Sequence, residues 1–422
     1  HRDLHSFPTR RSSDLVRVEP TIHRLDAEIW IQNPPSSRFY LQPGFTISQM
    51  FIDGESILFH KNASSDSSMY RYFGTHYEVD ARNIRELHMK YGGEIPDVIN
   101  QVNMITPDLV ELALYSAWYP LYQGMAHFTF EIEIDVPDGL ILSTNGHLGK
   151  KWTRGNRSLS RWTSFKPSWD MVILASPLLH RIEAGAGNTG IEVYYHDLPE
   201  QTLKTHVCGL ESGMNRLTSF YGPPRVKGLL RFVYSPRGGW GYSRIPIFVV
   251  AGEYAREEMK KEHGEARVFH SMCHEMSHFW WLVAQPDSPG DWINEGLAEF
   301  SAFRLSEERY GERFADRLVR EYHQHSDSCR TTDSIAETKS DSPDRYVNRY
   351  EKTALMFIEA RRRFGRESLD LFLKSLHARF ARTQNATTDL FLEEAGKRMG
   401  CDAREFFREE LYRKWETKPS AR

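Results

Sequence analysis

The chain has 422 residues, of which 26% are charged and 13% are aromatic, and its formal net charge is -3. This length allows two or three domains with a sizeable core, and the composition excludes a largely disordered chain. The slightly negative charge argues against a nucleic-acid-binding protein, because such proteins usually carry an excess of basic residues. No apolar run approaches the roughly 18 residues of a transmembrane helix, so the sequence predicts no membrane segment in this chain.

Residues 1–15 have no apolar periodicity, and the stretch FPTRRSSDL within them resembles a translated sequencing-library adaptor. We therefore predict that residues 1–15 are an artefact and not native, and we leave them out of the fold prediction. On this interpretation the native N-terminus is missing. The compartment of the protein then stays open, with the cytoplasm favoured.

Residues 16–202 are predicted to form a β domain. Apolar and polar side chains alternate in the segment FTFEIEIDV, which is typical of a half-buried antiparallel strand. Its apolar positions are Phe128, Phe130, Ile132, Ile134 and Val136. The segments AEIWI, GFTISQMFI, ELHMKY, DMVILAS and IEVYYH have a similar character, and turn-forming residues separate most of them. The sequence thus predicts an antiparallel saddle or sandwich of strands.

The pattern changes near residue 200, and residues 203–422 are predicted to form a second domain. Apolar residues recur at steps of three and four from Leu203 to Phe220, which predicts an amphipathic helix that ends at Gly222. The segments LLRFVYS and IPIFVVA predict two strands, and the pattern after residue 256 is mainly helical. The predicted fold class is therefore α+β with more than one domain: β strands first, then a small sheet and a mainly helical lobe.

The segment HEMSH contains two histidines, His274 and His278, that flank Glu275. A helix from about Val268 to Ala284 would place the two histidines one turn apart on the same face. At this spacing both imidazoles can bind one zinc ion, and the glutamate can act on a water molecule as a general base. Two solvated histidines on an ordinary helix are the alternative. The aromatic, Met-rich surroundings favour the metal, because a buried imidazole needs a partner.

A catalytic zinc site needs a third protein ligand and an open coordination position. The segment DSPGDWINEGLAEF supplies candidates, because Asp291 is predicted to cap a helix that continues to about Glu308. We predict Glu295 as the third ligand and Glu299, one turn later, as the carboxylate that hydrogen-bonds the far nitrogen of a ligating histidine. Ordinary surface carboxylates are the alternative for both. His270 is predicted to pack near the site or support it without being a ligand.

HEMSH followed by NEG resembles the gluzincin zinc aminopeptidases of the membrane-alanyl-aminopeptidase type. That family has eighteen residues between HExxH and the glutamate of NEG, whereas sixteen lie between His278 and Glu295, so we expect a shorter loop here. The stretches SAWYPL, FYGPPRVKGLLRFVYSP and LFLEEAGKRMGCDAREFF also resemble the family, and the resemblance covers most of residues 16–415. It implies a short form without the family's C-terminal helical domain. It further implies a thermolysin-like catalytic domain, one Zn²⁺ per chain and peptide substrates.

The resemblance also gives a role to Tyr350, which begins the sequence Tyr-Glu-Lys. The family has a YEKG-like motif whose tyrosine steadies the oxyanion of the reaction, and Thr353 stands here where glycine is usual. The resemblance therefore implies that the Tyr350 hydroxyl has the same role.

The family's GxMEN segment, whose glutamate binds the free amino terminus of the substrate, corresponds to GGWGY in this chain. The resemblance thus implies that Gly239, Trp240, Gly241 and Tyr242 bind substrate, the first two through their backbone as a strand edge does. Gly241 stands at the position of the glutamate. The substrate amine therefore lacks this anchor, and Glu295, which lies near that position in the family, is the remaining candidate.

The predicted function is a zinc metallopeptidase, in first place an aminopeptidase that removes N-terminal residues by a zinc-activated water with Glu275 as general base. A zinc peptidase that cleaves internally or acts on blocked peptides is one alternative. A catalytically dead binding module of the same fold is another, and the presence of all ligands, base and tyrosine argues against it. The sequence does not fix the oligomeric state.

Overall fold

The computed structural model of the chain describes residues 9–62, 74–81, 83–186, 189–225, 228–286, 288–381 and 386–414. The chain divides into two compact units. The first extends to Arg181 and includes Tyr194–His196 and Ser235–Trp240; the second comprises Ile182–Val193, Asp197–Tyr234 and the chain from Gly241 onward. A single domain boundary after residue 202 stays a prediction.

The first unit is built from β strands. In chain order they are β1 (Thr9–Glu19), β2 (Arg24–Gln32), β3 (Arg38–Leu41), β4 (Phe45–Ile52), β5 (Glu55–Ser56), β6 (Phe59–Asn62), β7 (Thr75–Val79), β8 (Glu86–Glu94), β9 (Met104–Ile105), β10 (Val110–Leu112), β11 (Phe128–Pro137), β12 (Ile141–Thr144), β13 (Gly146–Arg154), β14 (Arg157–Ser164) and β15 (Ile173–Ser176). An eight-stranded sheet has the order β13-β14-β11-β1-β2-β8-β4-β5. Two smaller sheets have the orders β12-β15-β10-β9 and β3-β7-β6.

Strand β11 buries one of its two faces, as its sequence predicts. Buried and half-buried residues alternate along its whole length, and the buried ones are the predicted apolar positions from Phe128 to Val136. Strand β2 alternates in the same way between Arg24 and Gln32. Because side chains on a strand point to opposite faces in turn, these strands give the sheet one face that packs into the core.

One strand pairing in the predicted antiparallel domain is parallel. Strand β11 pairs in antiparallel fashion with β14 but in parallel with β1. Residues 9–15 belong to β1, so the part of segment 1–15 that lies in the described residues takes part in the sheet, and residues 1–8 lie outside them. Leaving residues 9–15 out of the fold was therefore wrong, while their origin as an artefact stays a prediction.

The second unit combines one sheet with helices. Its elements, with the strands that lead into it, are β16 (His180–Ala186), β17 (Thr189–Tyr195), α1 (Glu200–Tyr221), β18 (Leu230–Ser235), β19 (Tyr242–Arg244), β20 (Ile247–Ala251), α2 (Gly252–Met259), α3 (Gly264–Trp281), α4 (Trp292–Tyr310), α5 (Glu312–Asp327), α6 (Thr353–Phe364), α7 (Arg366–Phe380), α8 (Thr388–Met399) and α9 (Cys401–Tyr412). The sheet has the order β16-β17-β18-β20-β19, so β19 lies at its edge. Short helical turns occupy Pro289–Asp291, Ile335–Glu337 and, as a π-helix, Val347–Lys352.

Helices α3 and α4 form the centre of the helical lobe. Trp280, Trp281 and Trp292 are fully buried there, and the ring of Tyr221 from α1 packs edge-on against Trp281 at 4.9 Å. Such large aromatic side chains bury much apolar area, which stabilises the two helices against each other. Together with the strand-rich first unit, this lobe confirms the predicted fold class.

No helix in the described part of the chain has the length and apolar character needed to cross a bilayer.

Gly296 lets α4 approach the chain before α6 closely. A Cβ atom at this position would lie 2.1 Å from Thr353 Cγ2 and 2.9 Å from the Arg349 carbonyl oxygen. Gly296→Ala is therefore expected to lower the free energy of unfolding by about 1–3 kcal/mol, although alanine has the higher helix propensity. Urea denaturation measures this change. The control is Gly396→Ala in α8, where the new Cβ meets the flexible Arg404 side chain at 3.1 Å, so that stability should stay level or rise. Wild-type stability of Gly296→Ala would contradict the close packing.

Candidate active site

Helix α3 carries the HEMSH segment, and the Asn294 side chain binds the backbone amides that follow the end of the helix. The helix begins at Gly264, one turn before the predicted start, and ends at Trp281 instead of Ala284. The amides of Val283 and Ala284 donate to Oδ1 of Asn294 at 2.7 and 2.8 Å, which draws the chain out of the helix. Asn294 also donates to the Ala284 carbonyl at 3.0 Å. The fully buried Asn294 thus fixes the loop between the two predicted ligand segments.

The structure brings His274, His278 and Glu295 together. One ligand atom from each residue lies within 4.8 Å of the others, and all three side chains are largely buried. Oε2 of Glu295 is 3.4 Å from Nε2 of His274 and 3.3 Å from Nε2 of His278. A tetrahedral zinc with ligand bonds of about 2.0–2.1 Å requires about 3.3–3.4 Å between neighbouring donor atoms. The three donors are therefore of the type that zinc binds, and both nitrogen–oxygen distances fit a zinc site.

Glu299 binds the far nitrogen of His274, which is the contact predicted from its position one turn after Glu295. Its Oε2 is 2.7 Å from Nδ1 of His274, and its Oε1 is 2.8 Å from Nε2 of His270 and also accepts from the Tyr322 hydroxyl. This carboxylate leaves Nε2 of His274 free to face Glu295. Burial opposes its charge, but the neighbouring histidines hold the pKa of Glu299 well below its ordinary value. Nδ1 of His278, by contrast, is buried without a hydrogen-bond partner among the residues described.

Asp291 occupies the N-cap position of α4, as predicted, but its side chain does not cap the helix. Its side chain makes no capping hydrogen bond, because Arg349 donates to Oδ2 at 2.9 Å and Asn294 to Oδ1 at 2.9 Å. Arg345 adds a longer contact to Oδ2 at 3.3 Å. Burial raises the pKa of Asp291 to about 6, with a further contribution from Glu295 and opposition from the arginines. The buried Asp291–Arg349 pair therefore ties the start of α4 to the segment that carries Tyr350.

Glu275 is half-buried at the surface of α3 that faces strand β19. Oγ of Ser243, in that strand, lies 2.9 Å from Oε2 of Glu275 and 2.7 Å from its backbone oxygen. Burial raises the pKa of Glu275 above its ordinary value, against the opposing charges of His274 and His278. A raised pKa makes a carboxylate a better proton acceptor, as a general base requires.

Tyr350 lies next to His274. It belongs to the π-helix Val347–Lys352, a widened turn of the kind that is frequent at functional sites. Its ring stacks on His274 with centroids 5.3 Å apart and planes inclined by 6°, and it also stacks with Tyr346 at 4.6 Å. Burial raises the pKa of Tyr350 well above its ordinary value, helped by the charge of Glu295. Its hydroxyl is therefore a neutral hydrogen-bond donor at physiological pH.

The four residues predicted to bind substrate fall in both units. Gly239 and Trp240 belong to the first unit, where Trp240 is 43% exposed and packs edge-on against Tyr115. Gly241 and Tyr242 belong to the second unit, where the Tyr242 side chain is buried and its backbone pairs with Val249 of β20. The other side of β19 is the edge of the sheet, which can pair with an extended peptide.

Sequence reasoning missed Ser243, Asn294 and the Asp291–Arg349 pair. Ser243 lies 32 positions before its partner, and Arg349 lies 58 positions after Asp291. Neither separation follows a local repeat, so no pattern in the sequence relates these residues. Asn294 gave a weak signal, because it belongs to the NEG motif that positions Glu295.

Part of the chain is similar to a known protein family. Residues 251–410 match the family model described as "Peptidase family M1 domain". No curated protein matches the sequence of the chain.

Several solved structures share the fold. An M1 zinc metallopeptidase from Deinococcus radiodurans superposes with a TM-score of 0.71 at 14% identity, over 98% of this chain and 96% of that one. A mutant of that enzyme bound to a Tyr-Ser-Ala substrate has a TM-score of 0.71 at 14% identity, over 97% and 95% of the two chains. A mutant two-domain M1 zinc metallopeptidase bound to L-tryptophan has a TM-score of 0.71 at 15% identity, over 97% and 95%. At these identities the likeness concerns the fold. The match over residues 251–410 makes this part of the chain a peptidase family M1 domain, in agreement with the family and the enzyme class, a zinc metallopeptidase, that the sequence predicts.

Proposed function

We propose that the protein is a zinc-dependent aminopeptidase that hydrolyses the first peptide bond of peptides. The observation that carries the proposal is the convergence of three metal-type donors, from His274, His278 and Glu295, beside the carboxylate of Glu275 and the ring of Tyr350. These groups have the types and positions that peptide hydrolysis by a metallopeptidase requires. The M1 domain match at residues 251–410 supports the same reaction class.

His274, His278 and Glu295 would hold one zinc ion per chain. When bound, zinc supplies Lewis acidity toward the scissile carbonyl and lowers the pKa of a water molecule in its open position. Glu299 holds the imidazole of His274 through Nδ1, and it thereby keeps Nε2 directed at the other two donors. The buried pair of Asp291 and Arg349, together with Asn294, keeps α4 and Glu295 in register with the histidines.

The chain's own side chains carry the proton and stabilise the developing charge. Glu275 takes a proton from the attacking water as the new carbon–oxygen bond forms, and returns it to the leaving nitrogen as the carbon–nitrogen bond breaks. The hydroxyl of Tyr350, kept protonated by its raised pKa, donates a hydrogen bond to the oxyanion. Its stacking on His274 fixes the ring beside the ligand cluster.

Recognition of the substrate's amino terminus distinguishes the aminopeptidase from a second candidate, a zinc peptidase of altered specificity. Gly241 favours the second candidate, because a Cβ atom there would lie 3.0 Å from Oε1 of Glu275 and 2.7 Å from the Val249 oxygen. A side chain, and so an amine-binding carboxylate, does not fit at this position. Glu295 is the carboxylate that remains for the amine in the aminopeptidase proposal, and a charged ammonium pairs well with such a group.

A panel of matched peptides tests the proposal. Zinc-loaded protein is expected to release the first residue from short peptides with free amino termini, and to cleave their N-acetylated counterparts more slowly. Chromatography of the products with time gives both the bond cleaved and kcat/KM for each peptide. Faster cleavage of the acetylated series, or of internal bonds, would exclude the aminopeptidase and support the second candidate. A zinc-loaded protein that cleaves none of them would exclude both.

A further inference from the structure

Strand β19 and the residue before it, Gly241, lie against the carboxylate of Glu275. Residues 241 and 243 have the same parity along the chain, so their side-chain positions face the same side of an extended strand. A Cβ atom at 241 would lie 3.0 Å from Oε1 of Glu275, and Oγ of Ser243 lies 2.9 Å from Oε2. The two oxygens of the carboxylate therefore have different surroundings: Oε1 faces Gly241, which has no side chain, and Oε2 faces the Ser243 hydroxyl.

Ser243 is buried, with 4% of its surface exposed, and its hydroxyl has two acceptors on one residue. They are Oε2 and the backbone oxygen of Glu275, the latter at 2.7 Å. A single hydroxyl hydrogen serves one of them at a time. When it serves Oε2, it ties the end of the side chain to the strand; when it serves the backbone oxygen, it ties α3 to the strand. In the second case no hydrogen is left for Oε2; the charged carboxylate is the stronger acceptor of the two, which favours the first case.

We propose that Ser243 is a positioning residue that binds Oε2 of Glu275 and so leaves Oε1, which faces Gly241, as the oxygen that carries the proton during hydrolysis. This inference rests on the proposed function. In the reaction, the oxygen–hydrogen bond of water breaks and an Oε1–H bond forms; that bond then breaks as the proton passes to the leaving nitrogen. Oε2 remains an acceptor throughout, so the Ser243 hydrogen bond holds the carboxylate in both protonation states.

A fixed carboxylate matters because proton transfer requires a short, aligned contact. Without Ser243, the carboxylate can rotate about its terminal bond, which is a broad torsion with little intrinsic preference. Oε1 would then spend part of its time out of line with the water molecule. Misplacement of a reacting group lowers the rate of the chemical step and leaves substrate binding largely intact.

The test introduces Ser243→Ala or Ser277→Ala as a single substitution in the full, zinc-loaded chain and compares the two variants. Ser277 is fully buried in α3 and donates to the Cys273 carbonyl at 2.6 Å, so it controls for the loss of a buried hydroxyl near the site. We expect Ser243→Ala to lower kcat by about 10- to 100-fold with little change in KM. Zinc content and melting temperature should match those of Ser277→Ala, which should keep the wild-type kcat.

Ser243→Thr provides a rescue, because it retains the hydroxyl that the alanine variant lacks. We expect it to recover most of the wild-type kcat. A wild-type kcat in Ser243→Ala would overturn the inference, and so would no recovery of kcat in the threonine variant. A loss of kcat that Ser277→Ala shares, or that comes with a loss of zinc, would also overturn it. If the wild-type protein cleaves no peptide, the proposed function fails and this inference with it. If the wild type is active and the alanine variant equally so, only the role of Ser243 fails.

Discussion

Glu275→Gln is expected to lower kcat by about 10²- to 10⁴-fold while the protein still binds zinc. The amide has nearly the shape of the carboxylate and accepts a hydrogen bond from Ser243, but it cannot take a proton from water at neutral pH. Its side chain is not among the three donors that converge on the metal position. Steady-state kinetics on the best peptide and elemental analysis of the same sample measure the two expected results together.

The control for this substitution is Glu265→Gln, which is exposed in the first turn of the same helix α3, two turns before His274. It should have wild-type kcat and zinc content. Turnover in Glu275→Gln within a few-fold of wild type would remove Glu275 as the general base. Loss of zinc from Glu275→Gln would instead show that its carboxylate supports the metal site. The two failures are separable, because one appears in the rate alone and the other in the metal content.

The parts of the site that lie within one helix were predictable from the sequence. His274, Glu275 and His278 follow from the 3.6-residue repeat, and Glu295 and Glu299 from the same repeat one helix later. The strands of the β domain were predictable for a similar reason, since their period of two is local. Asp291 occupies its predicted N-cap position, but its side chain does not cap the helix because a distant arginine binds the carboxylate.

The remaining parts depend on contacts between residues far apart in the chain. The parallel pairing of β1 with β11 and the hydrogen bond from Ser243 to Glu275 cannot be predicted from the neighbouring sequence. Many other strands and serines in the chain have the same local sequence pattern. The π-helix that carries Tyr350 is also set by its packing against α4, where Gly296 allows a close approach to the Arg349 carbonyl. Local periodicity thus predicts which residues share a face, while tertiary packing decides which faces meet.

The roles of the two acidic residues on α4 can be separated by metal binding. Glu295→Ala removes one of three donors and is expected to reduce zinc to near zero equivalents after gel filtration. Glu299→Ala leaves all three donors in place but frees the imidazole of His274 to turn, which should weaken zinc binding by about 10- to 100-fold. Competition with a chelator of known affinity measures both values on the same scale.

Glu299→Ala also leaves His270 and Tyr322 without the carboxylate that they share, so part of its effect will be on stability. Glu299→Gln keeps an acceptor in this position, and it should bind zinc more tightly than the alanine variant. Glu308→Ala, on the exposed side of the same helix, controls for a lost carboxylate and should bind zinc as the wild type does. Because zinc binds the folded chain, the melting temperature of each variant should rise with added zinc in the order of its affinity. The reverse order, in which Glu299→Ala loses the metal and Glu295→Ala keeps it, would exchange the two roles. A carboxylate that contacts the ion directly must contribute more to zinc binding than one that acts through an imidazole.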